Sequence, residues 1–137
     1  MYLCYDVDMW SIYGMDIRLL KEHPEYKEQI KLLPTRWEKV NKIKKEEDRL
    51  RSIAAGILLS YGLRENGIDL DACQLIMGTH GKPQVAGCEG LHFNLSHTGN
   101  YAVAVFSDAP VGIDIEHRRA LKQTLLDKCC TKDEQAW

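Results

Sequence analysis

The clearest hydrophobic pattern in the chain predicts a long helix near its centre. Between residues 46 and 61, apolar side chains recur at spacings of three and four residues, which places them along one face of a helix. These side chains are Leu50, Ile53, Ala54, Ile57, Leu58 and Tyr61. Gly62 or Gly67 would end the helix, because glycine is common just beyond a helix C-terminus.

Weaker patterns precede this helix. Apolar and aromatic residues at 1–7 predict a short opening strand. We expect the polar stretch that follows to be helical, with interruptions at Pro24 and Pro34. A further helical pattern starts at Thr35.

Three strand signals follow the long helix, after a Gly/Pro-rich loop at residues 78–83. The predicted strands are 91–95, 101–106 and 111–116. The links between them are short, which favours antiparallel hairpins. The sequence therefore predicts an α+β fold in which a small antiparallel sheet packs on one long helix.

The last residues predict a helix at 121–130 and the beginning of another. Thr131 and Glu134 match a capping box, which is the signature of a helix start. Only three residues follow Glu134, the last of them Trp137. A helix that begins and does not continue leads us to expect a truncated chain.

Composition excludes several classes of protein. The chain has 137 residues and a net charge of −2, which fits one globular domain and argues against electrostatic binding of nucleic acid. Five cysteines, an odd number without a C-x-x-C pair, favour free thiols in a reducing, cytoplasmic setting. The first residues lack a basic region typical of signal peptides, and no apolar run is long enough to span a membrane.

The sequence VGIDIE at residues 111–116 carries the most informative chemistry. Asp114 and Glu116 would point to the same side of a strand, where two carboxylates repel each other unless a cation relieves the repulsion. Hard oxygen ligands of this kind suit Mg²⁺, and Mn²⁺ would also fit. The alternative is a solvated acidic strand end.

The sequence FNLSHTG at residues 93–99 brings hydroxyls and an imidazole to a turn. Ser96 and His97 could donate to phosphate oxygens. As neighbours in a strand they face opposite ways, which argues against a nucleophilic triad. The alternative is a hairpin turn stabilised by its own hydroxyls.

Basic residues supply two further candidates for anion binding. Lys82 lies between Gly81 and Pro83 on a stiff loop that lacks the spacing of a P-loop and could simply be a turn. Upstream, seven basic residues fall within sixteen positions and are either an anion site or a solvated helix face. They are Arg36, Lys39, Lys42, Lys44, Lys45, Arg49 and Arg51.

Taken together and in this order, these motifs resemble those of the surfactin-type 4′-phosphopantetheinyl transferases, from about residue 34 to the end of the chain. The resemblance also includes the KEED sequence at residues 45–48 with Ser52. It implies one lobe of a two-lobed fold, with residues 1–112 as the N-terminal lobe. Residues 113–137 would be the metal-binding strand end and an incomplete start of the second lobe.

The resemblance implies a role for each candidate residue. Asp114 and Glu116 would be catalytic and hold the metal ion, and His97 would be catalytic through the diphosphate of coenzyme A. The other implied coenzyme A contacts are Ser96 at the phosphates, Lys82 beside the nucleotide, Pro83 near the adenine, and Arg36, Lys39 and Ser52 near the 3′-phosphate and adenine.

The implied reaction is Mg²⁺-dependent transfer of the 4′-phosphopantetheine group of coenzyme A to a serine of an acyl or peptidyl carrier protein. The family's W-x-x-K-E-A-like motif, whose glutamate completes the metal shell and is the favoured general base, is not present in this chain. We therefore expect a fragment, a chain completed by a C-terminal partner, or an inactive remnant. The exposed half of a cleft would also favour self-association.

The alternative from another class is a non-catalytic module that binds coenzyme A or a carrier protein without turnover. In either case we expect no nucleic acid partner and no membrane.

Overall fold

A computed structural model describes residues 3–7, 10–26, 32–78, 81–118, 120 and 122–134, with only the backbone at 3–7. It confirms the α+β class. The strands are β1 (Leu3–Val7), β2 (Trp10–Asp16), β3 (Leu75–Met77), β4 (Pro83–Val85), β5 (His92–Thr98) and β6 (Tyr101–Ser107). The helices are α1 (Arg18–Glu22), α2 (Pro34–Asn41), α3 (Glu46–Glu65) and α4 (Gln123–Cys129).

The main sheet has four antiparallel strands in the order β1-β2-β6-β5. Strand β2 lies inside this sheet, so the prediction of helix for the polar stretch after residue 7 is wrong at residues 10–16. Tyr13 and Met15 are buried while the residues beside them are partly exposed, which is the two-residue period of a strand. Pairing along all seven residues of β6 supplies the hydrogen bonds that a helix would have made internally.

Helix α3 is buried on nearly every side, because it packs against β2, β5 and β6 and also against α2. The prediction of a single apolar face is therefore wrong. Small residues make the burial possible, and Gly62 lies where an added Cβ would be 2.0 Å from the ring of Phe106. Tyr61, which we assigned to the apolar face, is 37% exposed.

The predicted β5–β6 hairpin is confirmed, with Thr98 opposite Tyr101 and Gly99 in the left-handed region at φ 53°. The prediction of a third strand at residues 111–116 is wrong. This stretch, the acidic segment, has no ladder of its own. It lies beside β5, where side chains of β5 accept hydrogen bonds from its backbone.

Helix α4 in the C-terminal part has no buried residue. The capping box after it forms, since the Thr131 backbone N–H donates to Glu134 Oε2 at 2.8 Å and the Glu134 backbone N–H donates to Thr131 Oγ1 at 3.4 Å. Trp137 lies outside the described residues. Cys73, Cys88, Cys129 and Cys130 are free thiols, and the side chain of Cys4 lies outside the described residues. No helix in the described part of the chain is long and apolar enough to cross a membrane.

Candidate functional site

A cavity of about 190 Å³ lies where α2 and α3 meet β5. Five of the residues that we predicted to contact coenzyme A line it, namely Arg36, Lys39, Ser52, Pro83 and His97. Ala55, Phe93, Asn94 and Leu95 complete the lining. Residues that are up to 61 positions apart in the sequence therefore share one concave site, which we call the basic cavity.

Local structure explains how these side chains reach the basic cavity. Arg36 and Lys39 are three residues apart on α2, so they lie on the same face of that helix. Ser52 is buried in the second turn of α3, which packs against α2. His97 lies near the end of β5 on the same side as the buried Phe93, since every second residue of a strand shares a face.

The basic cavity contains buried polar atoms without a protein partner. The Arg36 guanidinium donates from Nη2 to the Ser52 carbonyl oxygen at 3.1 Å, but Arg36 Nε and Ser52 Oγ have no hydrogen-bond partner among the described residues. An unpaired buried donor costs about 1–3 kcal/mol, so both atoms favour a ligand with hydrogen-bond acceptors. Burial also lowers the pKa of the Arg36 guanidinium from its ordinary value.

His97 is surrounded by positive charge. Partial burial lowers the pKa of its imidazole below the ordinary value. Arg51, Lys39 and Arg36 act in the same direction, and a backbone hydrogen bond opposes them. The imidazole is therefore neutral at pH 7, and the site as a whole favours an anion.

The turn that follows His97 is tied to α3. Arg51 donates from Nη1 to the Gly99 carbonyl oxygen at 2.7 Å and also pairs with Asp48 on its own helix. That pairing lowers the pKa of the Asp48 carboxyl. The β5–β6 turn and the first turns of α3 are thus held together beside the basic cavity.

The acidic segment presents its two carboxylates outward. Asp114 and Glu116 are exposed, whereas Ile113 and Ile115 are partly buried, which is the alternation expected of extended backbone. Ser96 Oγ donates to Asp114 Oδ1 at 2.8 Å, so one carboxylate is oriented by the strand that carries His97.

Lys82 and Ser96 contact the acidic segment and are not part of the lining of the basic cavity. Lys82 Nζ donates to the Val111 carbonyl oxygen at 2.6 Å. Ser96 Oγ accepts from the backbone N–H of Ile115 at 3.2 Å. The only proton of the Ser96 hydroxyl goes to Asp114, which leaves none for a phosphate oxygen.

Sequence reasoning missed Asn94. Asn94 is among the residues that line the basic cavity, and its Oδ1 accepts from the backbone N–H of Ile113 at 3.1 Å. The signal that was available is its position two residues before Ser96, because both then lie on the same face of β5.

The residues present fit a magnesium ion as far as their chemistry goes. Mg²⁺ is usually bound through one or two carboxylates and completes its shell with water and phosphate oxygens. Asp114 and Glu116 supply two such carboxylates, one of them already oriented by Ser96. Among the described residues, no group of three or more His, Cys, Asp or Glu side chains could hold a metal ion.

A second, larger cavity of about 640 Å³ lies between the end of the acidic segment and α4. Glu116 and His117 line it on one side, and Lys122, Leu125 and Lys128 are among the residues that line it from the region of α4. Glu116 therefore borders an open space large enough for part of a substrate.

Comparisons with known proteins agree with the resemblance drawn from the motifs. No family model matches the chain. The chain is 29% identical over 127 residues to the 4′-phosphopantetheinyl transferase Sfp of Bacillus subtilis (strain 168), covering 90% of this chain and 56% of that protein. It is 35% identical over 89 residues to the 4′-phosphopantetheinyl transferase psf-1 of Bacillus pumilus. This match covers 64% of this chain and 38% of that protein.

A more distant relative is the L-aminoadipate-semialdehyde dehydrogenase-phosphopantetheinyl transferase of Candida glabrata, which is 27% identical over 107 residues. That match covers 74% of this chain and 41% of the relative. The chain thus spans between about two fifths and just over half of the length of these curated relatives. The resemblance to phosphopantetheinyl transferases is confirmed over most of the chain.

Proposed function

We propose that this chain carries the coenzyme A site of a 4′-phosphopantetheinyl transferase. The observation that supports this most strongly is the basic cavity, which gathers five predicted contact residues from α2, α3, β4 and β5. The names of its relatives supply the reaction, which is transfer of a phosphopantetheinyl group. Coenzyme A is the substrate, and an acyl or peptidyl carrier protein is the acceptor.

In this proposal the nucleotide end of coenzyme A lies in the basic cavity. Arg36 and Lys39 bind the 3′-phosphate, because cations on one helix face make strong charge-assisted hydrogen bonds to phosphate oxygens. The unpaired Ser52 hydroxyl donates to the same end of the ligand, and Pro83 packs against the adenine. The neutral His97 donates one N–H to the diphosphate.

Asp114 and Glu116 would hold a Mg²⁺ ion beside that diphosphate, and Mn²⁺ could replace it. When bound, the ion would neutralise charge on the phosphate oxygens. The chain itself contributes the orientation of Asp114 through Ser96 and the positive field of Arg36 and Lys39. Lys82 holds Val111 and so fixes where the acidic segment begins.

The reaction is a phosphoryl transfer to a hydroxyl. The oxygen of the carrier serine attacks the β-phosphorus of coenzyme A, and the bond to the bridging diphosphate oxygen breaks. The serine loses its proton, and 3′,5′-adenosine bisphosphate leaves with the bond electrons. Because the relatives are longer than this chain, we propose that the general base comes from further chain or from a partner chain.

The alternative is a module that binds coenzyme A or a carrier protein without turnover. Both proposals share the basic cavity and place the protein in the cytoplasm, and they differ in whether phosphopantetheine is transferred. Incubation with labelled coenzyme A, Mg²⁺ and an apo carrier protein distinguishes them. Label on the carrier supports the transferase, and binding without label supports the module.

Calorimetric titration with coenzyme A and with 3′-dephospho-coenzyme A tests the basic cavity. We expect Arg36→Ala and Lys39→Ala each to weaken coenzyme A binding about tenfold or more, since a charged hydrogen bond contributes roughly 1.5–3 kcal/mol. The same variants should change binding of the 3′-dephospho ligand by less than about threefold.

Lys44→Ala is the matched control, because Lys44 is an exposed lysine that does not line the basic cavity. Equal losses for both ligands in Arg36→Ala and Lys39→Ala would contradict the proposed orientation. A loss of the same size in the Lys44→Ala control would contradict the site itself.

A further inference from the structure

The acidic segment is held in place by side chains and not by a β ladder. The backbone N–H of Ile113 donates to Asn94 Oδ1 at 3.1 Å, and that of Ile115 donates to Ser96 Oγ at 3.2 Å. Asn94 and Ser96 are two residues apart on β5, and their partners Ile113 and Ile115 are two residues apart in the same direction along the segment. The segment therefore runs parallel to β5, with side-chain oxygens where a ladder would have carbonyl oxygens.

Two further bonds complete this arrangement. Lys82 Nζ donates to the Val111 carbonyl oxygen at 2.6 Å, and Ser96 Oγ donates to Asp114 Oδ1 at 2.8 Å. A backbone ladder depends little on side-chain identity, but these four bonds depend on the side chains of Lys82, Asn94 and Ser96, together with that of Asp114. We call Lys82, Asn94 and Ser96 the side-chain clamp.

We propose that Asn94 is a positioning residue for the two carboxylates and that Lys82 and Ser96 complete the side-chain clamp. This inference rests on the proposed function, in which Asp114 and Glu116 hold a metal ion beside coenzyme A. A carboxylate whose backbone is already fixed loses less freedom when it binds a metal. Hydrogen bonds to metal ligands from outside the metal shell commonly change metal affinity by about 10–100-fold.

Conservative variants separate positioning from a general contribution to folding. Asn94→Ala removes the acceptor for the Ile113 N–H, whereas Asn94→Asp keeps an oxygen at the same place. Asn100→Ala is the matched control, because Asn100 lies in the β5–β6 turn and contributes its backbone carbonyl oxygen to Ile17. Wild type and the two Asn94 variants differ only in the side chain that the inference concerns, and Asn100→Ala changes a nearby asparagine outside the side-chain clamp.

The first measurement is amide hydrogen exchange at Ile113, which needs neither metal nor coenzyme A. We expect exchange to be about threefold to tenfold faster in Asn94→Ala, the range that corresponds to losing one hydrogen bond. Asn94→Asp and Asn100→Ala should exchange at the wild-type rate. An unchanged rate in Asn94→Ala, or equal acceleration in Asn94→Asp, would overturn the side-chain clamp.

The second measurement is coenzyme A affinity with and without Mg²⁺. Because Asn94 also lines the basic cavity, the informative quantity is the ratio of the two affinities in each variant. We expect the Mg²⁺ concentration for half-maximal enhancement to rise about 10–100-fold in Asn94→Ala. Ser96→Ala should show the same rise, and Ser96→Thr, which keeps the hydroxyl, should keep the wild-type Mg²⁺ requirement.

The two measurements test different claims: the exchange rates test the side-chain clamp, and the Mg²⁺ requirement tests its positioning role. If wild-type protein does not bind coenzyme A, the proposed function is wrong, and the exchange rates still decide whether the side-chain clamp exists. If exchange accelerates in Asn94→Ala while the Mg²⁺ requirement stays at the wild-type value in both Asn94→Ala and Ser96→Ala, the segment is held as described but the positioning role is overturned.

Discussion

At the scale of single residues, the charge state of His97 is set by its neighbours. Partial burial of the imidazole and nearby cations both disfavour a further positive charge, so the pKa lies below its ordinary value. The charged groups that act on it come from α2 and α3. They are Arg36 and Lys39 on α2, and Asp48 and Arg51 on α3.

An anion in the basic cavity should raise the pKa of His97 again, because a nearby negative charge favours the imidazolium. Binding would then take up a proton, and affinity should rise as pH falls from 7.5 towards 5.5, by up to about tenfold per unit of pKa change. The test uses 3′-dephospho-coenzyme A, which lacks the titrating phosphate monoester, in two buffers with different ionisation heats. His97→Gln keeps an N–H donor without titrating and should show neither effect.

The same depressed pKa has a consequence for stability. The unfolded chain has an ordinary histidine, so below about pH 6.5 it binds more protons at this position than the folded chain does. This histidine therefore contributes stability above that pH, and the contribution is lost on acidification. A His97→Gln variant that loses stability with falling pH as steeply as wild type would contradict this account.

At the scale of elements, close contact between α3 and the sheet determines the shape of the core. Phe106 stacks on Phe93 with ring centroids 5.8 Å apart and meets Tyr13 edge-on at 5.9 Å. The ring of Phe106 lies directly against Gly62 of α3. Only a residue without a Cβ allows helix and sheet to approach this closely.

We expect Gly62→Ala to destabilise the fold by about 2–3 kcal/mol, because the new Cβ would lie 2.0 Å from Phe106 and an element must shift. This loss should exceed the gain of roughly 1 kcal/mol from the better helix propensity of alanine. Urea unfolding measures the change in free energy.

The matched control is Gly56→Ala on the same helix, where the nearest atom is a Leu32 methyl at 2.9 Å that can move aside. It should cost at least about 1 kcal/mol less than Gly62→Ala, since only a flexible side chain has to yield. If Gly62→Ala instead stabilises the protein, the close approach of α3 to β6 is wrong.

At the scale of the whole molecule, the two faces of the main sheet have different surroundings. One face packs on α3 and contains Tyr13, Met15 and Phe106. The opposite face carries Trp10 and Tyr101, which are 39% and 46% exposed. Large exposed apolar side chains on one face favour association with another surface.

We therefore predict concentration-dependent self-association, measured by analytical ultracentrifugation. Trp10→Lys and Tyr101→Lys should shift the protein towards monomer, because each buries a charge in the contact. Tyr26→Lys is the control, since Tyr26 is a similarly exposed aromatic residue at 41% that lies outside the main sheet. A single monomeric species of wild type at high concentration contradicts this prediction.

Much of the fold could be predicted from local patterns. The long helix at Glu46–Glu65, the helix from Pro34 and the β5–β6 hairpin were all visible, because each depends on spacing and turn residues within a short stretch. Strand β2 was not visible, because it lies between β1 and β6, and its β6 partner comes some ninety residues later in the sequence. Its own sequence is too mixed to specify a strand without that partner.

The candidate site was also predicted in part. The motifs indicated which residues to consider, and the structure brings Arg36, Lys39, Ser52, Pro83 and His97 to one cavity. It places Lys82 and Ser96 in contact with the acidic segment instead. Spacing along a strand tells which side chains share a face, but not which backbone lies opposite them.

The sequence by itself determined the α+β class, the long helix and the list of candidate side chains for phosphate and metal binding. Each of these follows from residue chemistry and from interactions over a few positions. Only the tertiary structure decided that the segment bearing Asp114 would run along β5 without becoming a strand, and that Asn94 would hold it. Those outcomes depend on distant backbones competing for the same hydrogen-bonding groups, and that competition is settled by packing.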